Sequence, residues 1–235
     1  AMNMAIDREE LIDAVYYGLA DPTTLMPNEY DPEGAMALLD EMGMSEMDSE
    51  GFRLAPDGSP FSMEIGADDT FYDHVPAGEL YAQFFNEVGV RSSVKTMDAD
   101  LLAQRGSANE LQLRIGMEQS TQWWRAAYSA LGQSMWGVTW WNWWSTAGEQ
   151  GEEPPDVVKE FYAKTEEIMK VPLEEGRVLA EECWQMLADN VWYFIPAINQ
   201  KQGRIHNKKL GNGSTNDLCL SICQSISMWQ MFFTE

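Results

Sequence analysis

The chain has 235 residues, enough for one large domain or two small ones, and it is 45% hydrophobic and 23% charged, as globular proteins are. Its formal net charge is −23, from 15 Lys and Arg against 38 Asp and Glu. Such a surface repels phosphate backbones and anionic headgroups, which argues against nucleic acid and membrane surfaces as partners. No apolar run reaches the roughly 18 to 20 residues of a membrane span, so no membrane-inserting helix is expected.

In chain order, "AMNMAI" reads as the last turn of a helix already under way, so the chain reads as beginning inside a longer protein. Asp7 caps the helix that follows, with Glu10 completing a capping box and Leu11, Ile12, Val15, Tyr16 and Leu19 at helical spacing. After the connector "ADPTTLMPNEYDP", Asp31 caps a second helix with Pro32 at its first position. Ala35, Leu38, Leu39 and Met42 form its stripe and Gly43 stops it. "GFRLAPDGSPFSMEI" reads as a β-hairpin with alternating Phe61, Met63 and Ile65. A helix from Pro76 to Val88, a strand over Val90–Thr96, a short helix capped by Asp98 and a strand over Leu111–Ile115 follow. Beyond the tryptophan-rich region and the acidic loop "GEQGEEPP", two amphipathic helices span Pro155–Lys170 and Leu173–Asp189. "VWYFIPAI" (Val191–Ile198) reads as a buried strand. Strands alternating with helices predict an α/β domain around a mixed sheet flanked by helices, with all four strand segments in one sheet.

Motifs for catalysis are missing. "GQSMWG" misses the G-x-S-x-G nucleophile elbow by one residue, and "GNGSTN" lacks the third glycine and the strand–helix frame of a dinucleotide loop. Cys183, Cys219 and Cys223 make no disulfide framework, and His74 and His206 stand far apart, so neither a metal site nor a cofactor is expected. The chain reads as a non-enzyme.

Several stretches, in order, resemble one family. "AMNMAIDREELIDAVYYGLADP" and "YDPEGAMALLDEMGM" are similar to the helix-and-turn and the Y-D-P-E-x-A-x-x-L-L-x-E-x-G segment of bacterial family 5 extracellular solute-binding proteins. These are the dipeptide, oligopeptide and nickel receptors of ABC importers. "LYAQFFNEVGVRSSVKTMD", "WWNWWSTAGEQGEEPPDVVKEFY" and "CWQMLADNVWYFIPAINQ" resemble later segments of the same family. The resemblance implies a periplasmic-binding-protein-like fold of two α/β lobes with ligand captured between them. Residues 1–198 then correspond to lobe II, and 199–235 to a tail that returns to a first lobe. It further implies a peptide or oligosaccharide ligand, a membrane permease as partner, and a periplasmic or extracytoplasmic location. A non-transport sensing or interaction lobe is the alternative, with a hydrolase a more distant one. Peptide-binding members carry a G-W-x-x-D-x-x-D-P loop after the strand equivalent to Leu111–Ile115, whose first aspartate can pair with a peptide amine. Here the loop reads "GMEQSTQWWRAAY" with no aspartate, and Glu118 and Gln119 are the nearest polar substitutes. The difference favours an oligosaccharide.

Seven of the ten tryptophans lie between Trp123 and Trp144. A bilayer anchor would surround them with basic residues, and only Arg125 is near. Trp140, Trp141, Trp143 and Trp144 fall within five residues, so on a helix or a strand they point in more than one direction. Part of the run is therefore expected in the core and part on a ligand wall. The candidate ligand-binding residues are Glu118, Gln119, Trp123, Trp124, Trp136, Trp140, Trp141 and Asn142.

Overall fold

Aspartate side chains set three of the helix starts. Asp7, Asp31 and Asp98 each accept a hydrogen bond from the backbone N–H three residues on, at 3.0, 2.8 and 2.9 Å, and so satisfy donors that a helix end leaves bare. They open α1 (Arg8–Tyr16), α2 (Pro32–Glu41) and α4 (Ala99–Ser107). The computed structural model describes residues 1–24, 26–116, 136–200, 209–211 and 232–233. Leu11, Ile12 and Val15 are buried as the spacing of α1 predicts, whereas Leu19 lies beyond the helix end and is exposed. On α2 only Ala35 and Leu39 turn fully inward, and Leu38 and Met42 are exposed.

The central unit is a three-stranded parallel sheet in the order β3-β2-β4, formed by β2 (Met63–Asp68), β3 (Ser92–Met97) and β4 (Leu113–Arg114). Met63 pairs with Ser92 and Asp68 with Met97, while Ile65 and Gly66 pair with Leu113 and Arg114. Helix α3 (His74–Glu87) connects β2 to β3 and lies on the sheet. Its Gly78 faces the sheet, where an added Cβ would be in ordinary contact with Val94 at 3.4 Å and Ile115 at 3.6 Å. Gly66 lets α4 approach the other face, because an added Cβ would meet the Leu102 side chain at 2.8 Å. Ile65 pairs with Val94, and residues 65 and 66 point to opposite sides, so α3 and α4 cover opposite faces. Phe84, Phe85, Val88, Val90 and Ile65 lie in the first core with Leu11, Val15 and Leu39. Each such side chain contributes about 1.5–3 kcal/mol by leaving water.

A second core forms around α5 (Val138–Ser145), α6 (Asp156–Ile168) and α7 (Leu173–Asn190). Val158, Phe161, Tyr162, Cys183 and Leu187 are its buried centre. No helix among the described residues is long and apolar enough to cross a membrane.

The α/β class holds, and strand pairing is mixed: parallel in the three-stranded sheet, antiparallel elsewhere. The expectation that Val191–Ile198 joins that sheet does not hold. Only Ala197–Ile198 (β5) is a strand, and it pairs antiparallel with Asp21–Pro22 (β1) in a separate two-stranded ladder. Val191 ends α7 in the left-handed conformation at φ 48°, and Pro196 has no N–H to give a ladder. The intervening side chains are apolar for another reason: Phe194 packs on the first core, Trp192 and Ile195 on the second. The β4 strand is also shorter than expected. The Gln112 side chain takes over its pairing, accepting from Glu64 N–H at 2.8 Å and donating to Ser62 C=O at 3.1 Å. In the tail, Leu210–Gly211 (β6) pairs antiparallel with Phe232–Phe233 (β7). Cys219, Cys223 and His206 lie outside the described residues.

Candidate ligand-binding site

In open parallel sheets the carboxyl ends of the strands border the ligand crevice. Here those ends are Asp68 on β2, Met97 on β3 and Arg114 on β4. Three connections leave this edge: residues 69–73 toward α3, Asp98 toward α4, and Ile115–Gly116 toward the segment that carries Glu118, Gln119, Trp123 and Trp124. Those four candidates lie outside the described residues.

Trp136, Trp140, Trp141 and Asn142 can be placed. Gly137 adopts φ 57° as the N-cap of α5, and a Cβ there would lie 2.6 Å from the Trp140 ring. Glycine thus lets the chain turn under that indole. Trp136 is a core residue, 8% exposed, with its ring 4.5 Å from Trp192 at 18° and 5.4 Å from Phe161. Trp140, Trp141 and Trp144 are half-buried and packed against the second core. Trp141 meets Tyr162 edge-on at 5.5 Å, and the Trp144 indole N–H donates to Glu166 at 2.7 Å. Trp143 takes another direction, beneath the Lys159 ammonium at 5.5 Å. The run is therefore an α-helix whose tryptophans diverge as the spacing requires. It contributes heavily to the second core while leaving part of the Trp140 and Trp141 rings accessible.

The loop after α5 is clamped onto it. Gly151 (φ +83°) would place a Cβ 2.1 Å from Thr139 C=O, 2.8 Å from Trp143 N and 3.0 Å from the Asn142 side chain. The next residue, Glu152, donates its N–H to Thr139 C=O at 3.0 Å. Asn142 thus stands between the tryptophans and this clamp, and its own C=O accepts from the Thr146 hydroxyl at 2.6 Å.

Sequence reasoning missed a second cluster at the sheet edge. The Asp68 carboxylate lies 2.8 Å from His74 Nδ1, and both residues are buried. An ionised carboxylate only accepts, so Nδ1 carries the proton. Burial pushes the Asp68 carboxyl up, but hydrogen bonds from His74 and Thr70 outweigh it and hold it below the ordinary carboxylate value. The signal in sequence was faint, an aspartate six residues before one of two histidines in "DDTFYDH".

Among the described residues, no three His, Cys, Asp or Glu side chains converge as a metal site would require. Burial pushes the Cys183 thiol up to about 12, which keeps it protonated and unreactive.

The model of the family "Bacterial extracellular solute-binding proteins, family 5 Middle" matches residues 1–149. The chain belongs to that family. No curated protein matches it. Among solved structures, it resembles the mannohexaose-bound periplasmic oligopeptide-binding protein of an ABC transporter from Thermotoga maritima, at 20% identity and a TM-score of 0.62. That match covers 83% of this chain and 39% of the other. NikA from Brucella suis, in complex with Fe(III)-EDTA, matches at 16% identity and a TM-score of 0.63, covering 84% of this chain and 40% of its own. The periplasmic binding protein MelB from Agrobacterium fabrum, in complex with stachyose, matches at 15% and 0.63, covering 81% and 31%. At these identities the likeness is one of fold. The chain spans between 31% and 40% of the length of these proteins.

Proposed function

We propose that the chain is the ligand-capturing lobe II, residues 1–198, of an extracytoplasmic receptor that delivers a peptide or oligosaccharide to the membrane permease of an ABC importer. Residues 199–235 would return to a first lobe. The observation that carries this reading is the family match over residues 1–149, which takes in the three-stranded sheet and the run from Trp123 to Trp144. The family is one of solute-binding proteins, and this chain is proposed to bind without turnover. Glu118, Gln119, Trp123 and Trp124 on the segment after β4, with Trp140, Trp141 and Asn142 on α5, would supply polar contacts and stacking faces. Trp136 would support α5 from the core. Fold relatives hold oligosaccharides in some cases and peptides in others, which supports keeping both ligand classes.

The reading is tested by a thermal-shift screen of oligosaccharides and short peptides against the two-lobe protein. A saturable rise in Tm with one ligand class is expected. Flat curves with both classes would reject it.

A further inference from the structure

The ion pairs of this chain show a shortage of cations. Arg91 is shared by Asp48 and Glu50, Lys159 by Glu153 and Asp156, and Lys164 by Glu160 and Glu182. Each of these groups stays negative after its own pairing is complete. Residues 149–190, which take in α6 and α7, carry twelve acidic side chains and four basic ones. All four bases, Lys159, Lys164, Lys170 and Arg177, are already engaged with carboxylates. Glu152, Glu167, Glu174 and Glu175 are exposed and have no basic partner among the described residues.

Helix ends show the same shortage. The carboxyl end of a helix carries partial negative charge and favours a cation. Yet the last turn holds Asp40 and Glu41 in α2, Glu87 in α3, Glu166 and Glu167 in α6, and Asp189 in α7, with no basic residue in any of these turns. The net charge of −23 counts every residue, so no pairing elsewhere in the chain can cancel it. Solubility does not account for the excess, because a net charge of about 2–8 keeps a small domain in solution. Folding brings the carboxylates together and unfolding spreads them, so their repulsion acts against the compact state. Dissolved cations relieve it by screening, as the Debye length falls from roughly 30 Å at 0.01 M salt to roughly 3 Å at 1 M. We propose that the folded state of this chain is salt-requiring: cations of the medium, held diffusely and without a fixed site, supply the balance that its own side chains do not. The fold tightens in brine and loosens in dilute buffer. The inference concerns the acidic surface as a whole and is independent of which ligand the chain binds.

Urea unfolding of the full chain in KCl tests it. The midpoint should rise between about 0.01 M and about 1 M KCl. A flat or falling midpoint overturns the proposal. A general effect of salt on apolar burial would also raise the midpoint, so a charge variant separates the two. Glu41→Lys, Glu167→Lys and Asp189→Lys together place a cation at three helix ends. At about 0.01 M KCl the folding constant of the combined variant should exceed that of the wild type roughly tenfold, and at about 1 M the excess should shrink to about twofold or less. An equal rise with salt in both proteins overturns the charge origin. A further measurement needs no substitution. In about 0.01 M KCl, guanidinium chloride at about 0.2 M should raise Tm because its cation screens, whereas the same concentration of urea should lower it. A fall with both denaturants contradicts the proposal, whatever the variant does.

Discussion

Gly151→Ala is the substitution whose cost the structure defines most sharply. The residue sits at φ +83°, and its Cβ would lie 2.1 Å from Thr139 C=O and 2.8 Å from Trp143 N, both backbone atoms of a formed helix. The left-handed conformation alone costs an alanine roughly 1–2 kcal/mol. The collision cannot be relieved by rotating a side chain, so the loop must lift and lose the 3.0 Å bond from Glu152 N–H to Thr139 C=O. That bond adds about 0.5–1.5 kcal/mol. The sum is about 1.5–3.5 kcal/mol, limited by how easily residues 148–153 peel away. Gly58 supplies the control, for it has φ +78° with nothing within 4 Å of an added Cβ. Gly58→Ala should therefore show the conformational cost alone. Urea denaturation of both variants reads the difference directly. If Gly151→Ala is no more destabilising than Gly58→Ala, the clamp of the acidic loop onto the tryptophan helix is not energetically real.

Other expectations are equally specific. The Tyr162 hydroxyl is buried with no hydrogen-bond partner among the described residues, so Tyr162→Phe should leave stability at neutral pH unchanged or slightly raised. Burial pushes its phenol up to about 12, so the wild type should also lose stability relative to the Phe variant as pH rises above about 10. For Asp68 the folded-state value is depressed, so its stabilisation is complete above the unfolded value and vanishes as pH falls through the folded one. The gap in denaturation midpoint between wild type and Asp68→Asn should be full at about pH 6 and close below about pH 4; a gap independent of pH contradicts the assignment. Trp140→Ala in the proposed two-lobe receptor should weaken ligand binding by roughly 1–3 kcal/mol with the fold retained, measured by calorimetry beside circular dichroism. Loss of the fold without a separate binding defect would make Trp140 a core residue only.

Local chemistry was legible in the sequence wherever one residue type decides the outcome. Asp7, Asp31 and Asp98 cap helices as their positions require, and Gly43 ends α2 at φ 88°. Periodicity gave most of the buried stripes of α6 and α7, with Val158, Phe161, Cys183 and Leu187 inside, whereas Val157 and Val178, read onto the same stripes, are exposed. It failed where apolar residues serve two masters. Val191–Ile198 is apolar because it bridges two cores, which a one-dimensional pattern does not distinguish from a buried strand. The tryptophan run defeats periodicity outright, since nearly every position is aromatic; the helix was decided by tertiary packing on Tyr162 and Phe161. The Asp68–His74 pair was illegible for a third reason. Its two members end one element and begin the next, and only the turn between β2 and α3 brings them within 2.8 Å. The side-chain pairing of Gln112 with the β2 backbone likewise appears only once the sheet order is known.

The most direct test of the receptor reading is equilibrium calorimetry of the proposed two-lobe receptor against purified oligosaccharides and short peptides, followed by mass spectrometry of the recovered ligand. Saturable binding of one class, with the ligand returned intact, is the predicted result. Absence of saturable binding across both classes would contradict the account. So would cleavage of the ligand that a single carboxylate substitution abolishes.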